Sequence, residues 1–358
     1  MTFSEDPTHM CPRAPLRFLP FCLLVLAPYA HAGWAIVQAG TPVTAIHESS
    51  VYRAGSGQRL APNDIVEAPP SPNGIVQLQD ETGNVLALGG DTRVLLARDG
   101  RVALLRGWLK VQHVCAAANC AVPVVETERM RVTPAERSAL VVAASTPAYA
   151  DADADAVFCE NGSAQLVTLG KPHGKPAQTA MSTHQFAQLS KATTGIAVSA
   201  RLAPAFVAAM PLAFRDALRP LPLPAAPAAL AAPAAPRPAS ASAAASRPVT
   251  YADVSDWLRS ALAVRTEPAT RFTQRFGARL SDPAFRRDIR QHLPDLPDWR
   301  PLLQPPVKPP TQPSIQPSIN PLTKPLVNPL SQPPRGAAKW SGTPAPASPS
   351  FASVWTRP

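Results

Sequence analysis

The chain has 358 residues, 45 prolines and a net charge of +10, unevenly spread. Residues 33–165 carry 10 basic and 14 acidic side chains, 166–248 carry 8 and 1, 249–300 carry 9 and 7, and 301–358 carry 5 and 0. The stretch that reads as folded is thus mildly acidic, and the basic excess sits in Pro/Ala-rich segments. That distribution argues against a nucleic-acid-binding domain, which would carry a basic face on the fold itself.

Residues 1–32 have the layout of a secretory signal. Arg13 and Arg17 form a basic region, Phe18–Ala27 is a short apolar run, and Ala30-His-Ala32 is a small-x-small site that predicts cleavage between Ala32 and Gly33. The apolar run is short of the roughly 20 residues of a spanning helix, and no later segment is apolar enough to span. The expectation is a periplasmic or secreted protein with no stable membrane span after cleavage. Of the cysteines, Cys115, Cys120 and Cys159 lie beyond the signal. Cys115 and Cys120 flank a small loop and could pair in an oxidising compartment, while Cys159 is left over, either buried or reactive.

Residues 33–170 read as a β domain. Turn signals recur about every 8–12 residues, among them Ala54-Gly-Ser-Gly57, Pro62-Asn-Asp64, Thr82-Gly-Asn84, Asp99-Gly100 and Asn161-Gly162. Short alternating runs lie between them. Ile75–Gln79 and Val85–Leu88 face each other across Asp80–Asn84, and Val94–Ala97 and Val102–Leu105 flank Arg98-Asp-Gly-Arg101, a strong hairpin signal. Trp108–Gln112 continues the ladder. The prediction is a mainly β fold, a roll or sandwich, long enough to bury a real core.

Residues 171–219 are predicted as a partly helical extension, with Phe206, Met210, Phe214 and Leu218 spaced to share one face. Residues 220–249 read as a Pro/Ala-rich linker. Thr250 and Asp253 resemble a capping box, and Val254, Trp257, Leu258, Ala261 and Leu262 form an apolar stripe. Phe272, Phe276, Phe285, Ile289 and Leu293 continue the pattern, with Asp282-Pro283 as a helix start. Residues 250–303 are therefore predicted as a small three-helix module, marginal in size if left alone. In the tail, 304–358, prolines stand four apart from Pro305 to Pro333. Such spacing forbids helix or central strand, so an extended spacer is expected, reaching roughly 100 Å from Gln304 to Arg335 at about 3.1 Å per residue.

Residues 33–165 resemble a FecR-type periplasmic domain. The resemblance rests on Gly57-Gln-Arg-Leu60 with Asn63-Asp-Ile-Val66, on Ile75–Leu88 with its Gly turn, and on Val102-Ala-Leu-Leu-Arg-Gly-Trp-Leu-Lys-Val111. It implies a β scaffold that binds a partner. The sigma-regulating members also carry a cytoplasmic regulator and a membrane span ahead of this domain, which the 32 residues here do not match.

A catalytic or metal set does not emerge. Asp151, Asp153 and Asp155 suggest calcium, but Ala156 and Gly162 stand where an EF-hand needs Gly and Glu, so an acidic solvated loop is expected. His47, His113, His173, His184 and His292 are not at metal-ligand spacing, and His113 reads as a satisfied structural histidine. Nothing near Cys159 argues for a lowered thiol pKa. Trp257, Phe272, Phe276, Phe285 and Trp299, interleaved with arginines, read as helix core, with an aromatic-basic glycan surface as the other possibility. The sequence thus predicts an exported, non-enzymatic scaffold without cofactor or metal. It would bind an envelope protein by contact, with a role in signalling open and the Pro-rich arms setting distance. The alternative is a structural protein that holds peptidoglycan or another cell-wall polysaccharide through the helical module and basic tail.

Overall fold

The structure, a computed structural model, describes residues 33–71, 74–114, 120–146, 149, 154–169, 176–190, 193, 195–224 and 246–303. The signal region with Ala32, together with Cys115, Asp151, Asp153, His173 and the Pro-rich tail, lies outside the described residues, which begin at Gly33.

The fold is mainly β, and it is not a closed barrel. Two ladders share one long strand. The first runs β1 (Ala35–Ala39), β5 (Val76–Gln79), β6 (Val85–Leu88), the second half of β8 (Val102–His113), β11 (Ser138–Ala144), β12 (Ala154–Asn161), β15 (Phe186–Ser190) and β16 (Ala197–Ser199), all antiparallel. The second runs β17 (Arg247–Pro248), β3 (Ser50–Ala54), β2 (Val43–His47), β4 (Ile65–Glu67), β7 (Arg93–Leu96), the first half of β8, β9 (Val125–Glu126), β10 (Met130–Pro134), β13 (Ser163–Thr168) and β14 (Gln178–Ser182). The β8–β9 pair is parallel and makes the sheet system mixed.

The strand switch occurs at Gly107. The β7–β8 register slips between Arg93 and Val94, where Arg93 faces Arg106 and Val94 faces Leu104. Gly107 sits at φ +103°, and a Cβ there would lie 2.6 Å from the Thr92 Cα. Thr92 locks the bend by accepting from Trp108 N–H and donating to Trp108 C=O through one hydroxyl, both at 3.0 Å. Only glycine permits this crossing, which lets one strand serve two sheets.

The period-two pattern sorts side chains as the sequence predicts. Val76, Leu78, Leu86, Leu88, Leu109, Val111, Leu140 and Val142 meet Val43, Val66, Val94, Leu104, Val132 and Leu166 between the sheets. Both expected hairpins form, with Gln79 opposite Val85 and Leu96 opposite Val102. In the second, only Gly100 takes positive φ (85°). Gly100 N–H donates to Ala97 C=O at 3.2 Å, so this is a three-residue loop with a bulge rather than a two-residue turn. Strands also continue past residue 170, through β14, β15 and β16.

Each outer face is covered. On the first sheet lies a strap formed by residues 202–224. It contains α1 (Pro204–Ala209) and a 3-10 turn at Leu212–Phe214, split by Pro211 as a broken helix should be. Phe206, Met210, Phe214 and Leu218 are all buried against Val85, Ala87, Trp108, Val141, Ala143 and Phe186. The ring of Phe206 lies 4.9 Å from Trp108, 5.1 Å from Phe186 and 5.7 Å from Tyr149.

The second sheet carries the helical module: α2 (Tyr251–Arg259), α3 (Phe272–Arg275), α4 (Pro283–Gln291), α5 (Arg300–Leu303) and connecting 3-10 turns. The Thr250–Asp253 capping box is present, and Asp282 caps α4 through Ala284 N–H. The predicted middle helix is a single turn continued as 3-10 through Gly277–Ser281. Trp257, Phe272, Phe276, Phe285 and Trp299 are all buried, in one cluster with Ile46, Val51, Ile65, Leu95 and Leu105 of the sheet. Core packing is thus their role, and they form no aromatic surface.

The module is therefore docked on the β scaffold. Arg93 and Arg106 both reach Asp256, at 2.9 and 3.5 Å. Arg101 pairs with Glu267. Arg275 donates to three carbonyls, of Ile46, Glu48 and Asn63, at 2.7–2.9 Å. An apolar helix face of this size has to be buried somewhere, and the nearest open apolar surface is the sheet itself; residues 225–245 of the predicted linker lie outside the described residues.

Candidate functional site

A cleft of about 670 Å³ opens at one end of the first sheet. Its floor comes from Lys110, Gln112 and His113 of β8, Ser138 and Ala139 of β11, and Phe158 and Glu160 of β12. Its rim comes from the turns that hold Arg137, Asn161 and His184, and from Arg215, Ala217 and Leu218 of the strap.

Period-two alternation decides which β8 residues face it. Leu109 and Val111 enter the core, so Lys110 points outward, beneath the strap. Its ammonium is 1 % exposed, pairs with Glu160 at 2.7 Å, and donates to the Phe214 and Asp216 carbonyls at 2.7 Å each. A buried charge is tolerable only when paired and fully hydrogen-bonded, and these three acceptors match its three donors. Lys110 thus fixes one wall of the cleft to its floor.

His113 contributes a neutral ring. Asn84 turns its amide nitrogen, with two N–H donors, toward Asp80, Thr82 and the Ala121 carbonyl, all at 2.8–2.9 Å, which leaves its oxygen to accept from His113 Nδ1 at 2.7 Å. This assigns the proton to Nδ1. Burial lowers the His113 pKa, against the opposing pull of Asp80 and Glu136. His113 is the satisfied structural histidine that the sequence predicts.

The rim turns are tied to one another. Asn161 donates to the Arg137 carbonyl at 3.3 Å, Thr183 to the Gly162 carbonyl at 3.0 Å, and His184 N–H to the Cys159 carbonyl at 2.7 Å. Arg137 and His184 hold φ of 54° and 65°, an uncommon region for side chains of this kind. Asn161-Gly162 is not the hairpin turn it resembles in sequence. β12 pairs with β11 and β15, β13 with β10 and β14, and the chain crosses between sheets at Gly162, whose φ is +78°.

In electrostatic terms the cleft has a neutralised floor and a basic rim. Among the described residues neither Arg137 nor Arg215 makes an ion pair. The Ser138 hydroxyl donates to the Ala135 carbonyl and is thereby occupied. With Phe158, Leu218 and the exposed Val114 alongside, the cleft offers guanidinium donors next to apolar surface, a composition suited to contact.

The remaining candidates fall elsewhere. Cys159 lies in the core between the sheets, and burial pushes its thiol up to about 11. Cys120 is disulfide-bonded; its proposed partner, Cys115, is not described. Asp155 is not in a solvated loop. It is buried in β12, accepting from Thr127 at 2.6 Å and Arg129 at 2.9 Å, because β12 begins at Ala154 and turns it inward. Among the described residues no His/Cys/Asp/Glu group could hold a metal ion. His47 joins Asp64 at 2.7 Å beside a smaller cleft of about 380 Å³ where the module meets β2, and His292 stacks on Tyr251 at 4.9 Å. In that smaller cleft, burial lowers the Arg275 pKa to about 10, and its guanidinium is committed to the three carbonyls that clasp the module.

No family model matches the chain, and no curated protein matches it. Two crystal structures of a "putative anti-sigma factor" from Parabacteroides distasonis are similar over 38% of this chain, at 14% and 13% identity and a TM-score of 0.30. The match spans 59% of that protein's length. A likeness of that size transfers neither fold nor role.

Proposed function

We propose that this is an exported, non-enzymatic scaffold of the bacterial envelope, FecR-like in its β domain, which binds a protein partner through the basic-rimmed cleft. The observation that carries the reading is that Arg137 and Arg215 both line the cleft without a carboxylate partner among the described residues, Arg215 donating only to the Val207 carbonyl at 3.4 Å. Export rests on the signal layout of residues 1–32, and the FecR-like assignment on the motifs between Gly57 and Val111. The cell-wall alternative draws no support from the helical module, because every aromatic ring that could stack on a sugar there is buried.

The test is cross-linking in intact cells followed by affinity recovery of the tagged wild type and an Arg137→Glu/Arg215→Glu variant. The reading expects an envelope protein that the wild type recovers and the variant does not. Equal recovery by both, or recovery of peptidoglycan fragments alone, would overturn it.

A further inference from the structure

The outer face of β5 carries two buried amides that a solvent-facing sheet would not need. Val76 and Leu78 point into the core, so Gln77 and Gln79 point out, yet they are only 4 % and 6 % exposed. Buried amides are costly unless bonded. Both are bonded to the strap's main chain: Gln77 Nε2 donates to the Arg219 carbonyl at 2.8 Å, and Gln79 Oε1 accepts from Leu221 N–H at 2.8 Å.

Together the two amides read the backbone of a three-residue unit, x-Pro-Leu, here Arg219-Pro220-Leu221. They take the carbonyl before the proline and the N–H after it, and the proline between them has no N–H to leave unsatisfied. The spacing suits an extended ligand. Two residues of strand advance about 6.6 Å and two of polyproline II about 6.2 Å. Leu221 and Leu223 are half-buried against the face, while Pro220 and Pro222 stand in solvent. Among the described residues no backbone-to-backbone bond joins 219–224 to the sheet; Arg59, at 3.4 Å from the Pro224 carbonyl, is the further tie. The segment is held the way a groove holds a peptide, by side chains.

We propose that the Gln77–Gln79 face is a docking groove for an extended proline-rich partner peptide of the order x-Pro-Leu, occupied in cis by residues 219–221 and entered by exchange. The proposal rests on the reading of this chain as a contact protein but not on the cleft. A ready source of probe sequence is the chain itself, in which the order recurs as Asn320-Pro-Leu322, Lys324-Pro-Leu326 and Asn328-Pro-Leu330.

The experiment is fluorescence anisotropy with a labelled synthetic peptide of the sequence of residues 318–332, titrated with the secreted chain and with a variant in which 219–224 are replaced by Gly and Ser. The opened variant is expected to bind saturably. The wild type should bind at least about tenfold more weakly, because its own segment competes at high effective concentration. Gln77→Ala/Gln79→Ala in the opened background should cost roughly tenfold or more, the loss expected for two hydrogen bonds. A scrambled peptide without x-Pro-Leu should not bind. The idea is overturned if the opened variant keeps the wild-type melt yet binds nothing, or binds regardless of the two glutamines. Should opening spoil the fold, a photo-crosslinking version of the peptide is used on the wild type: adducts on β5 support the groove, and their absence refutes it. The peptide titration reads only the β5 face, so failure here leaves the cleft reading standing.

Discussion

Replacing Gly107 by alanine tests the strand switch on which the whole fold turns. Two penalties act together. A side chain at φ +103° sits in strained backbone, worth about 1–3 kcal/mol. The new Cβ would also stand 2.5 Å from Thr92 Oγ1 and 2.6 Å from Thr92 Cα, an overpacking term of about 1–3 kcal/mol. The hydroxyl also accepts and donates to Trp108, so moving it breaks the lock. A loss of about 3–5 kcal/mol follows, a large part of a typical domain's stability of roughly 5–15 kcal/mol. Because Thr92 Cα is backbone, adding Thr92→Ala should recover little. Urea unfolding followed by tryptophan fluorescence is the assay, with Gly40→Ala as the control, since a Cβ there meets nothing within 4 Å. A midpoint for Gly107→Ala within error of the control would refute the argument that the bend requires glycine.

Other consequences are open to direct measurement. Phe206→Ala removes the ring at the centre of the strap's aromatic cluster and should cost about 3–5 kcal/mol, with hydrogen exchange at 204–210 rising before that of the strands. Burial opposes ionisation of Asp253, but Arg247 and the Thr250 N–H and hydroxyl outweigh it and lower the carboxyl pKa below its ordinary 3.8. Its contribution is therefore complete above 3.8 and lost as pH falls through the lower folded value. Circular dichroism should show Asp253→Asn less stable than wild type at neutral pH and nearly equal to it once both are acidified past that point. The Cys159 thiol, raised to about 11 by burial, should resist a thiol reagent at neutral pH in the native protein and react on unfolding; labelling of the native chain would reopen a thiol chemistry.

Much of the architecture is legible in the sequence because it depends on local patterns. The Val76–Gln79 and Val85–Leu88 alternation sets both pairing and facing, and Thr250, Asp253 and Asp282-Pro283 mark helix starts by capping chemistry that operates within a turn. What the sequence hides is long-range. β8 looks like two strands, Val102–Leu105 and Trp108–Gln112, and nothing local says that Gly107 joins them across sheets. Asn161-Gly162 has the composition of a hairpin and the geometry of a crossing. Asp155 reads as solvated because its neighbours are alanine and aspartate, yet Thr127 and Arg129, far away in sequence, supply its partners. The cleft was invisible for the same reason: Arg137, Glu160, His184 and Arg215 come from four separate elements. Lys110, Gln77 and Gln79 did leave a trace. Each is a polar residue at an outward position of a strongly apolar strand, which marks a face that meets something polar.

The helical module poses the sharpest question about how this chain holds together. Its aromatic cluster is completed by Ile46, Val51, Ile65, Leu95 and Leu105 from the sheet, so the module has no closed core of its own. Burying side chains of that size is worth about 1.5–3 kcal/mol each, which puts the docking on the order of 10 kcal/mol, comparable with the stability of an entire domain. A peptide of residues 246–303 should therefore be largely unfolded by circular dichroism, and a chain ending at residue 224 should expose the bare sheet face and bind a hydrophobic dye. Mixing the two should restore helicity in a one-to-one complex, since the clasp of Arg275 on the Ile46, Glu48 and Asn63 carbonyls needs no covalent connection. A stably helical isolated module, with no gain on mixing, would mean that the sheet is only a resting place for it.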